Sequence, residues 1–320
     1  MIALALFGAA LWLAPAPPPK PTQFTMVFST RRVRDEGFSD TARSILVGLP
    51  ALRAFSRTQT DVLADFDTVV IETAEPRSED EVALVIKHHL TRDEMKKRVE
   101  AAQAELGQDI RWETRGSVVV GQPFPSDGSR DDDPRWVTLP NESLYVFGPL
   151  STTAAFTDPD VPENRVEARR LRTLLRDANR KTAPLLHGLV DNLPAAVKSG
   201  YEVPTSADFK LSGAGPFKLE FKTTHASAEA AEEFERWWTH DLHDAIEANL
   251  TAKLAFGQLY AATKVRRTGV SVQLRTRLKT EQLELILQVV GSGVEREQAR
   301  VRGRREARGA QSSPEAAAGP

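Results

Sequence analysis

Two hydrophobic periods divide this chain into segments typical of strands and segments typical of helices. Alternating apolar and polar positions predict strands over residues 24–28, 67–73, 81–88, 115–120, 135–139, 143–147, 208–211, 217–222, 257–265 and 270–276. Spacing close to 3.6 residues predicts helices over residues 44–55, 91–106, 163–181, 185–197, 227–249 and 280–290. Strands and helices therefore alternate along most of the chain.

Local signals support the starts of two of these helices. Thr91 and Glu94 have the spacing of a capping box, in which the hydroxyl accepts from the third amide and the carboxylate reaches back. Ser227 predicts a similar cap at the start of the long helix over residues 227–249. The apolar stripe predicted to face inward on that helix consists of Phe234, Trp238, Leu242, Ala245, Ile246 and Asn249.

A sequence pattern recurs at a distance of roughly 143 residues. Residues 49–51 and 193–195 both read Leu-Pro-Ala, and residues 64–66 and 207–209 both read Ala-Asp-Phe. Each pair is followed by strands and a capped helix. This recurrence predicts an internal duplication. The alternative is coincidence, because these residue types are common in the chain.

The order of the elements favours an α+β protein of two similar halves, each a mixed or antiparallel sheet covered on one face by helices. At 320 residues the chain has the length of two domains. The predicted organisation is a signal peptide or membrane anchor over residues 1–16, a proline-rich linker over 17–24, a first domain over 25–182, a second over 183–291, and a disordered tail over 292–320.

The N-terminal segment suggests export or anchoring in a membrane. Residues 2–14 are apolar and uncharged, which is the length of a signal-peptide core and shorter than the roughly 20 residues that span a bilayer. Five prolines over residues 15–21 then form a stiff, extended spacer. No basic residue precedes Lys20, and Pro17 would hinder cleavage after Ala16. The alternative is a buried first helix in a cytoplasmic protein.

Composition narrows the possible functions. A net charge of −2 gives no overall field toward nucleic acid, so no nucleic-acid partner is expected. The chain has no cysteine, which excludes disulfides, thiolate nucleophiles and cysteine-ligated zinc. No glycine-rich phosphate loop or nucleophile elbow occurs in the sequence, so we predict no cofactor and assign no catalytic residue.

The best candidates for metal ligands lie on the helix over residues 227–249. His240 and Asp244 are four residues apart, as are His243 and Glu247, and all four fall opposite the apolar stripe. Imidazole and carboxylate groups at this spacing can converge on one divalent ion. The alternative is a solvated helix face stabilised by pairs of opposite charge.

Aromatic and basic residues also cluster in the first half. Trp112 and Trp136 lie beside Arg111, Arg115 and Arg135 in the sequence. Such residues can hold an anionic or sugar ligand by stacking. Core packing explains the same pattern equally well.

Together these features favour a non-enzymatic protein of the cell envelope, exported or tethered to the inner membrane through its N-terminal segment. Its predicted partner is an unknown protein or envelope component, bound at the junction of the halves. The alternative is a metal-dependent hydrolase that uses His240, His243, Asp244 and Glu247. A cytoplasmic scaffold is the third reading.

Overall fold

The fold is known from a computed structural model, which describes residues 23–36, 42–43, 46, 50–74, 82–127, 135–193, 197–198, 201–213 and 216–283. The predicted signal or anchor segment and the predicted tail lie outside these ranges, as does most of the proline-rich linker. No helix within the described ranges is both long and apolar enough to cross a membrane.

An antiparallel sheet of twelve strands forms the centre of the described structure, in the order β13-β14-β12-β11-β8-β1-β2-β3-β7-β6-β5-β4. The strands of the first half are β1 (Gln23–Phe28), β2 (Phe66–Thr73), β3 (Ala83–His88), β4 (Gln108–Arg115), β5 (Val118–Pro125), β6 (Arg135–Asn141) and β7 (Leu144–Pro149). Those of the second half are β8 (Leu186–Asp191), β9 (Val197–Lys198), β10 (Tyr201–Glu202), β11 (Ser206–Ser212), β12 (Phe217–Thr224), β13 (Lys264–Thr268) and β14 (Ser271–Leu278). Strands β9 and β10 form a separate hairpin.

The prediction of a separate sheet for each half is wrong. Strand β1 pairs with β2 on one side and with β8 on the other, so a single sheet passes through both halves. An exposed sheet edge carries a row of unpaired N–H and C=O groups, and the pairing of β1 with β8 satisfies two such edges at once. Every strand pairing in the described sheet is antiparallel, which excludes the mixed arrangement there.

The strand order is similar on the two sides of the β1–β8 contact. Outward from this contact, one side runs β1, β2, β3, β7, β6 and the other runs β8, β11, β12, β14, β13. A capped helix follows β3, and another follows β12. The first half differs by an additional hairpin, β4–β5, at its outer edge. The duplication itself and the boundaries of the two domains stay predictions.

The helices are α1 (Thr30–Asp35), α2 (Pro50–Ser56), α3 (Val62–Asp65), α4 (Arg92–Ala104), α5 (Leu150–Thr157), α6 (Pro162–Ala178), α7 (Ala228–Arg236), α8 (Leu242–Ala248) and α9 (Leu250–Ala262). The capping box at the start of α4 is confirmed, since Glu94 N donates to Thr91 Oγ1 at 3.2 Å and Thr91 N donates to the Glu94 carboxylate at 2.8 Å. The cap on α7 is confirmed too, because Ser227 Oγ accepts from Ala230 N at 3.1 Å.

One predicted element is wrong, and two others are correct only in part. Residues 186–191 form strand β8 and not a helix, because pairing with β1 and β11 decides their conformation. Residues 257–262 belong to helix α9 and not to a strand. The strand predicted over 115–120 is interrupted by a turn at residues 116–117, where Gly116 has a φ of 62° that favours glycine, while residue 115 ends β4 and residues 118–120 begin β5.

A π-helical turn interrupts the long helix predicted over residues 227–249. Residues Trp237–Asp241 form this turn between α7 and α8. One additional residue per turn rotates all later positions around the helix axis. Phe234, Trp238 and Ile246 are buried as predicted, whereas Ala245 and Asn249 are exposed.

The sheet has two faces, which alternate along every strand. The front face is the side on which Phe24, Met26 and Phe28 of β1 lie, and it packs against α1–α4 in the first half and α7–α9 in the second. The back face is the side of Thr25 and Val27, and it packs against α5 and α6. The back-face helices cover the first half alone among the described strands.

Helix α6 attaches to the back face through a buried ion pair as well as through apolar contacts. Arg170 donates to both carboxylate oxygens of Glu72, at 2.7 and 2.5 Å, and Thr25 donates to the same carboxylate at 2.9 Å. Arg170 also binds Glu167, and burial, which opposes its charge, is outweighed by these two carboxylates, so the pKa of Arg170 is raised. Val166 on the same helix is 67% exposed.

Replacing Arg170 with Met is expected to lower the free energy of unfolding by about 2–3 kcal/mol, because Glu72 is left charged and buried without its partner. This loss of stability is smaller than is usual for a buried ion pair, because a third of the Arg170 side chain is exposed to solvent. Urea unfolding measures it. The control Arg169→Met, on the exposed side of the same helix, should change stability by less than about 0.5 kcal/mol. Equal losses in the two variants would contradict the role of this pair.

Two histidines are buried at the ends of strands β3 and β12. His88 ends β3 and is 1% exposed, and His225 follows β12 and is 3% exposed. Burial lowers the pKa of each to about 4. One ring nitrogen of each has a partner, the Leu90 carbonyl for His88 and the Thr223 hydroxyl for His225, while the other nitrogen has none within the described protein.

The pH dependence of stability should reveal these two groups. Each histidine takes up a proton near pH 6.5 in the unfolded chain and near pH 4 in the folded protein. The unfolded state therefore binds more protons between these values, and stability falls as the pH is lowered through this window. We expect a loss of about 2 kcal/mol or more for each histidine. The free energy of unfolding can be measured with urea at several pH values. It should fall less steeply with decreasing pH in His88→Gln/His225→Gln than in the wild type, and as steeply as in the wild type in the exposed His240→Gln variant.

Candidate functional site

The candidate binding surface is the back face of the five strands β8, β11, β12, β14 and β13. Their front side carries buried core residues of the second half, among them Val190, Ala207, Phe221, Val272 and Leu274. Alternation places the residues between them on the back. Helices α7–α9 pack on the front, so the back of these strands is uncovered within the described residues.

Positively charged side chains dominate this surface, which we call the open basic face. Its cations are Lys210, Lys218, Lys222, Lys264, Arg266, Arg275 and Arg277. Except for the half-buried Lys210, all of them are exposed. Their local sequence is ordinary for surface strands, with a polar residue at every second position. The concentration of one charge arises because five such strands lie side by side.

Two pairs of cations lie directly opposite each other across neighbouring strands. Lys218 of β12 is in register with Arg277 of β14, and Lys264 of β13 is in register with Arg275. Cross-strand partners have Cβ atoms about 5 Å apart, a spacing at which like charges are destabilising. Opposite charges also face each other on this surface, since Asp208 is in register with Lys222, and Glu220 with both Lys210 and Arg275.

Acidic residues neutralise only part of the open basic face. Arg275 binds Glu220 at 3.2 Å, and Lys210 binds Asp208 at 2.7 Å. Burial opposes the charge of Asp208, but hydrogen bonds from His187 and Lys210 outweigh it and lower the pKa of Asp208. No ion pair to a described acidic residue is found for the other five cations, Lys218, Lys222, Lys264, Arg266 and Arg277.

The net charge of the open basic face differs in sign from that of the whole chain. Seven cations against three carboxylates (Asp191, Asp208 and Glu220) leave a charge of +4. The chain as a whole carries −2, so the remaining residues carry −6. The five strands, about 4.8 Å apart, make the face about 20 Å wide. It is therefore an extended electrostatic surface, suited to a ligand with several negative charges.

The proposed metal ligands lie elsewhere, on the front side of the second half. His240 lies in the π-helical turn, and His243, Asp244 and Glu247 lie on α8. Lys253 Nζ donates to the Glu247 carboxylate at 2.6 Å, a hydrogen bond that lowers the pKa of Glu247.

The environment of this cluster is that of a solvated helix face. The His243 ring stacks on Tyr260, with ring centres 5.3 Å apart. Throughout the described residues, no three His, Asp or Glu side chains lie together as a group that could hold a metal ion. The metal site and the hydrolase reading that depends on it stay predictions.

The sheet separates the aromatic and basic residues that are neighbours in the sequence of the first half. Trp112 lies on the front, where its indole donates to Glu100 at 2.7 Å. Trp136 lies on the back, beneath the guanidinium of Arg115. Arg135 stacks on Phe147 on the front. These residues therefore do not form one ligand surface.

The open basic face was missed by sequence reasoning, although part of its signal was present. Strands were predicted over residues 217–222 and 270–276, and alternation within them places Lys218 and Lys222 on one side of the first, and Gln273 and Arg275 on one side of the second. The missing information was which strands are neighbours and which side is left uncovered.

Comparisons with known proteins were made for the whole chain. No protein-family model matches it, and no curated protein matches it. Among solved structures, crystal form I of TP0453 covers 87% of this chain and 99% of its own, with 9% sequence identity and a TM-score of 0.45. This similarity is too distant to support an argument about fold or function.

Mutual repulsion within the open basic face should make stability depend on salt. We define a neutralised variant, Lys222→Gln/Arg277→Gln, and a control variant, Arg57→Gln/Lys97→Gln, whose cations are exposed on the front side of the sheet. Raising NaCl from about 0.02 M to about 0.3 M screens repulsion and should raise the wild-type Tm by about 1–2 °C. Differential scanning fluorimetry should show a smaller rise for the neutralised variant and an unchanged rise for the control.

Proposed function

We propose that this protein is a non-enzymatic binding module of the cell envelope, exported or tethered through its N-terminal segment, which holds an anionic partner on its open basic face. The observation that carries the proposal is the group of seven cations on one sheet surface that the described residues leave uncovered. This surface differs from the one expected from the sequence, the junction of the halves, which stays a prediction.

The electrostatic arrangement supports binding more than structural stability. Lys218 and Arg277 face each other without an acidic partner among the described residues. Such juxtapositions cost stability, and they are offset when a ligand supplies the missing negative charge. A polyanion is the class of partner that several exposed cations at regular spacing recognise.

The N-terminal sequence supports the envelope location. The apolar run over residues 2–14 and the proline-rich spacer over 15–21 are typical of a segment that directs export or holds a domain at a membrane. The spacer leads to Gln23, the first residue of β1, which lies opposite Asp191 at one corner of the open basic face.

We also propose that the two halves are copies of one ancestral unit. The matching strand orders on the two sides of the β1–β8 contact support this, as do the capped helices after β3 and β12. In the first half, helices α5 and α6 follow β7 and cover the back face. In the second half, the described residues after β14 leave the back face uncovered. One copy then serves as scaffold and the other presents the ligand surface.

Retention on immobilised heparin, a polyanion without lipid, tests the binding function. We expect the full chain to be retained at low salt and the neutralised variant to elute at a clearly lower NaCl concentration, because fewer counterions are released on binding. The control variant should elute with the wild type. Identical elution of all three proteins, or an equal shift in both variants, would count against the open basic face as the binding surface.

A fusion after residue 25 to a phosphatase that is active only after export tests the location. We expect phosphatase activity from this fusion, and none when residues 2–14 are deleted. An inactive, cytoplasmic fusion carrying the complete N-terminal segment would reject the envelope assignment while leaving the binding function open to the heparin measurement.

A further inference from the structure

The anionic partner can be specified more closely from the position of the open basic face relative to the N-terminal segment. We infer that the open basic face docks on the headgroups of an anionic bilayer, the same bilayer that the N-terminal segment reaches. This inference rests on the function proposed above, since it names the partner of that surface. Its support comes from charge, shape and the length of the connecting chain.

The number of cations matches the requirement of bilayer binding. Clusters of four to eight Lys and Arg residues near a membrane bind anionic lipids, with about 1 kcal/mol for each cation close to the surface. The open basic face presents seven, five of them without an acidic partner among the described side chains. A single apolar segment shorter than a bilayer binds a membrane only weakly. A second, electrostatic contact would raise the affinity for the membrane.

The cations of the open basic face can also contact a flat membrane surface at the same time. An antiparallel sheet is twisted, so its backbone alone would touch a flat surface along one diagonal. Lys and Arg have long flexible stems that extend or fold back to bring their charges to one level. Lys218, Lys222, Arg266 and Arg277 are all exposed and are not fixed by ion pairs to described residues. They can therefore follow a planar layer of phosphates.

The connecting chain allows the bilayer contact and the tether at once. Nine residue steps separate Ala14 from Gln23, and a proline-rich chain spans about 3.1 Å per residue, or about 28 Å in total. Gln23 pairs with Asp191 of β8, the strand at which the open basic face begins. A face about 20 Å wide that starts at the end of this spacer lies within reach of the membrane surface. Tethering then raises the effective concentration of headgroups at the face.

Other occupants fit less well. The basic segment over residues 296–308 carries six arginines and two glutamates, so the open basic face repels it. Single-stranded nucleic acid is normally held by aromatic side chains that stack on bases, and the back-face positions of the described strands β8 and β11–β14 carry no Phe, Tyr or Trp. Duplex nucleic acid is a separate outcome of the test.

Vesicle co-sedimentation of the full chain tests the inference. Vesicles of phosphatidylcholine alone report binding by the N-terminal segment, and vesicles with a third of phosphatidylglycerol add the electrostatic contribution. We expect the wild type to bind the anionic vesicles more tightly and to lose this gain at high salt. The neutralised variant should bind the anionic vesicles about 25-fold more weakly than the wild type, since each of the two cations removed contributes about fivefold. The control variant should keep it.

The outcomes separate the inference from the proposed function. If the neutralised variant elutes early from heparin but keeps its full gain on phosphatidylglycerol, the bilayer inference fails and the polyanion function stands. If neither measurement responds, both fail. Tighter, variant-sensitive binding to a duplex DNA fragment than to anionic vesicles overturns the bilayer in favour of nucleic acid. Equal losses of affinity for anionic vesicles in the neutralised and control variants also overturn it. Cations on either side of the sheet would then contribute equally to binding.

Discussion

The pairing of β1 with β8 is the interaction on which the rest of the architecture depends. Without it, each half would end in an open edge of backbone donors and acceptors at the middle of the molecule. With it, six residue pairs from Gln23–Asp191 to Phe28–Leu186 join the halves into one sheet. The pairing also brings the start of β1 beside the open basic face. Architecture and proposed function therefore rest on the same contact.

The two halves use the back of this sheet differently. In the first half, the back face is apolar and is covered by α5 and α6, with the Arg170–Glu72 pair at the border. In the second half, the corresponding positions are charged and uncovered within the described structure. A buried apolar face stabilises the fold. An exposed surface with one sign of charge lowers stability through repulsion, and it can bind ligands of the opposite charge. This asymmetry is the physical basis of our proposal that the second half presents the ligand surface.

The net charge of the chain and the local charge of the open basic face act over different distances. A chain with a net charge of −2 has no field that attracts anions at long range. The open basic face acts at short range, over distances comparable with the Debye length. Such a surface suits a partner that is already held nearby, as a bilayer is for a tethered domain, more than one that must be captured from solution.

The sequence by itself determined most strands, the capping box at Thr91, the N-cap at Ser227, and the period of each amphipathic segment, because these depend on neighbours within a few residues. It did not determine that residues 186–191 form a strand, since that conformation is stabilised by β1 and β11, which are distant in the chain. The open basic face was decided by tertiary structure alone. Lys218 and Arg277 are 59 positions apart and meet because α7–α9 return the chain beside β12. Which side of the resulting sheet is covered depends on where those helices pack, and no local pattern specifies it.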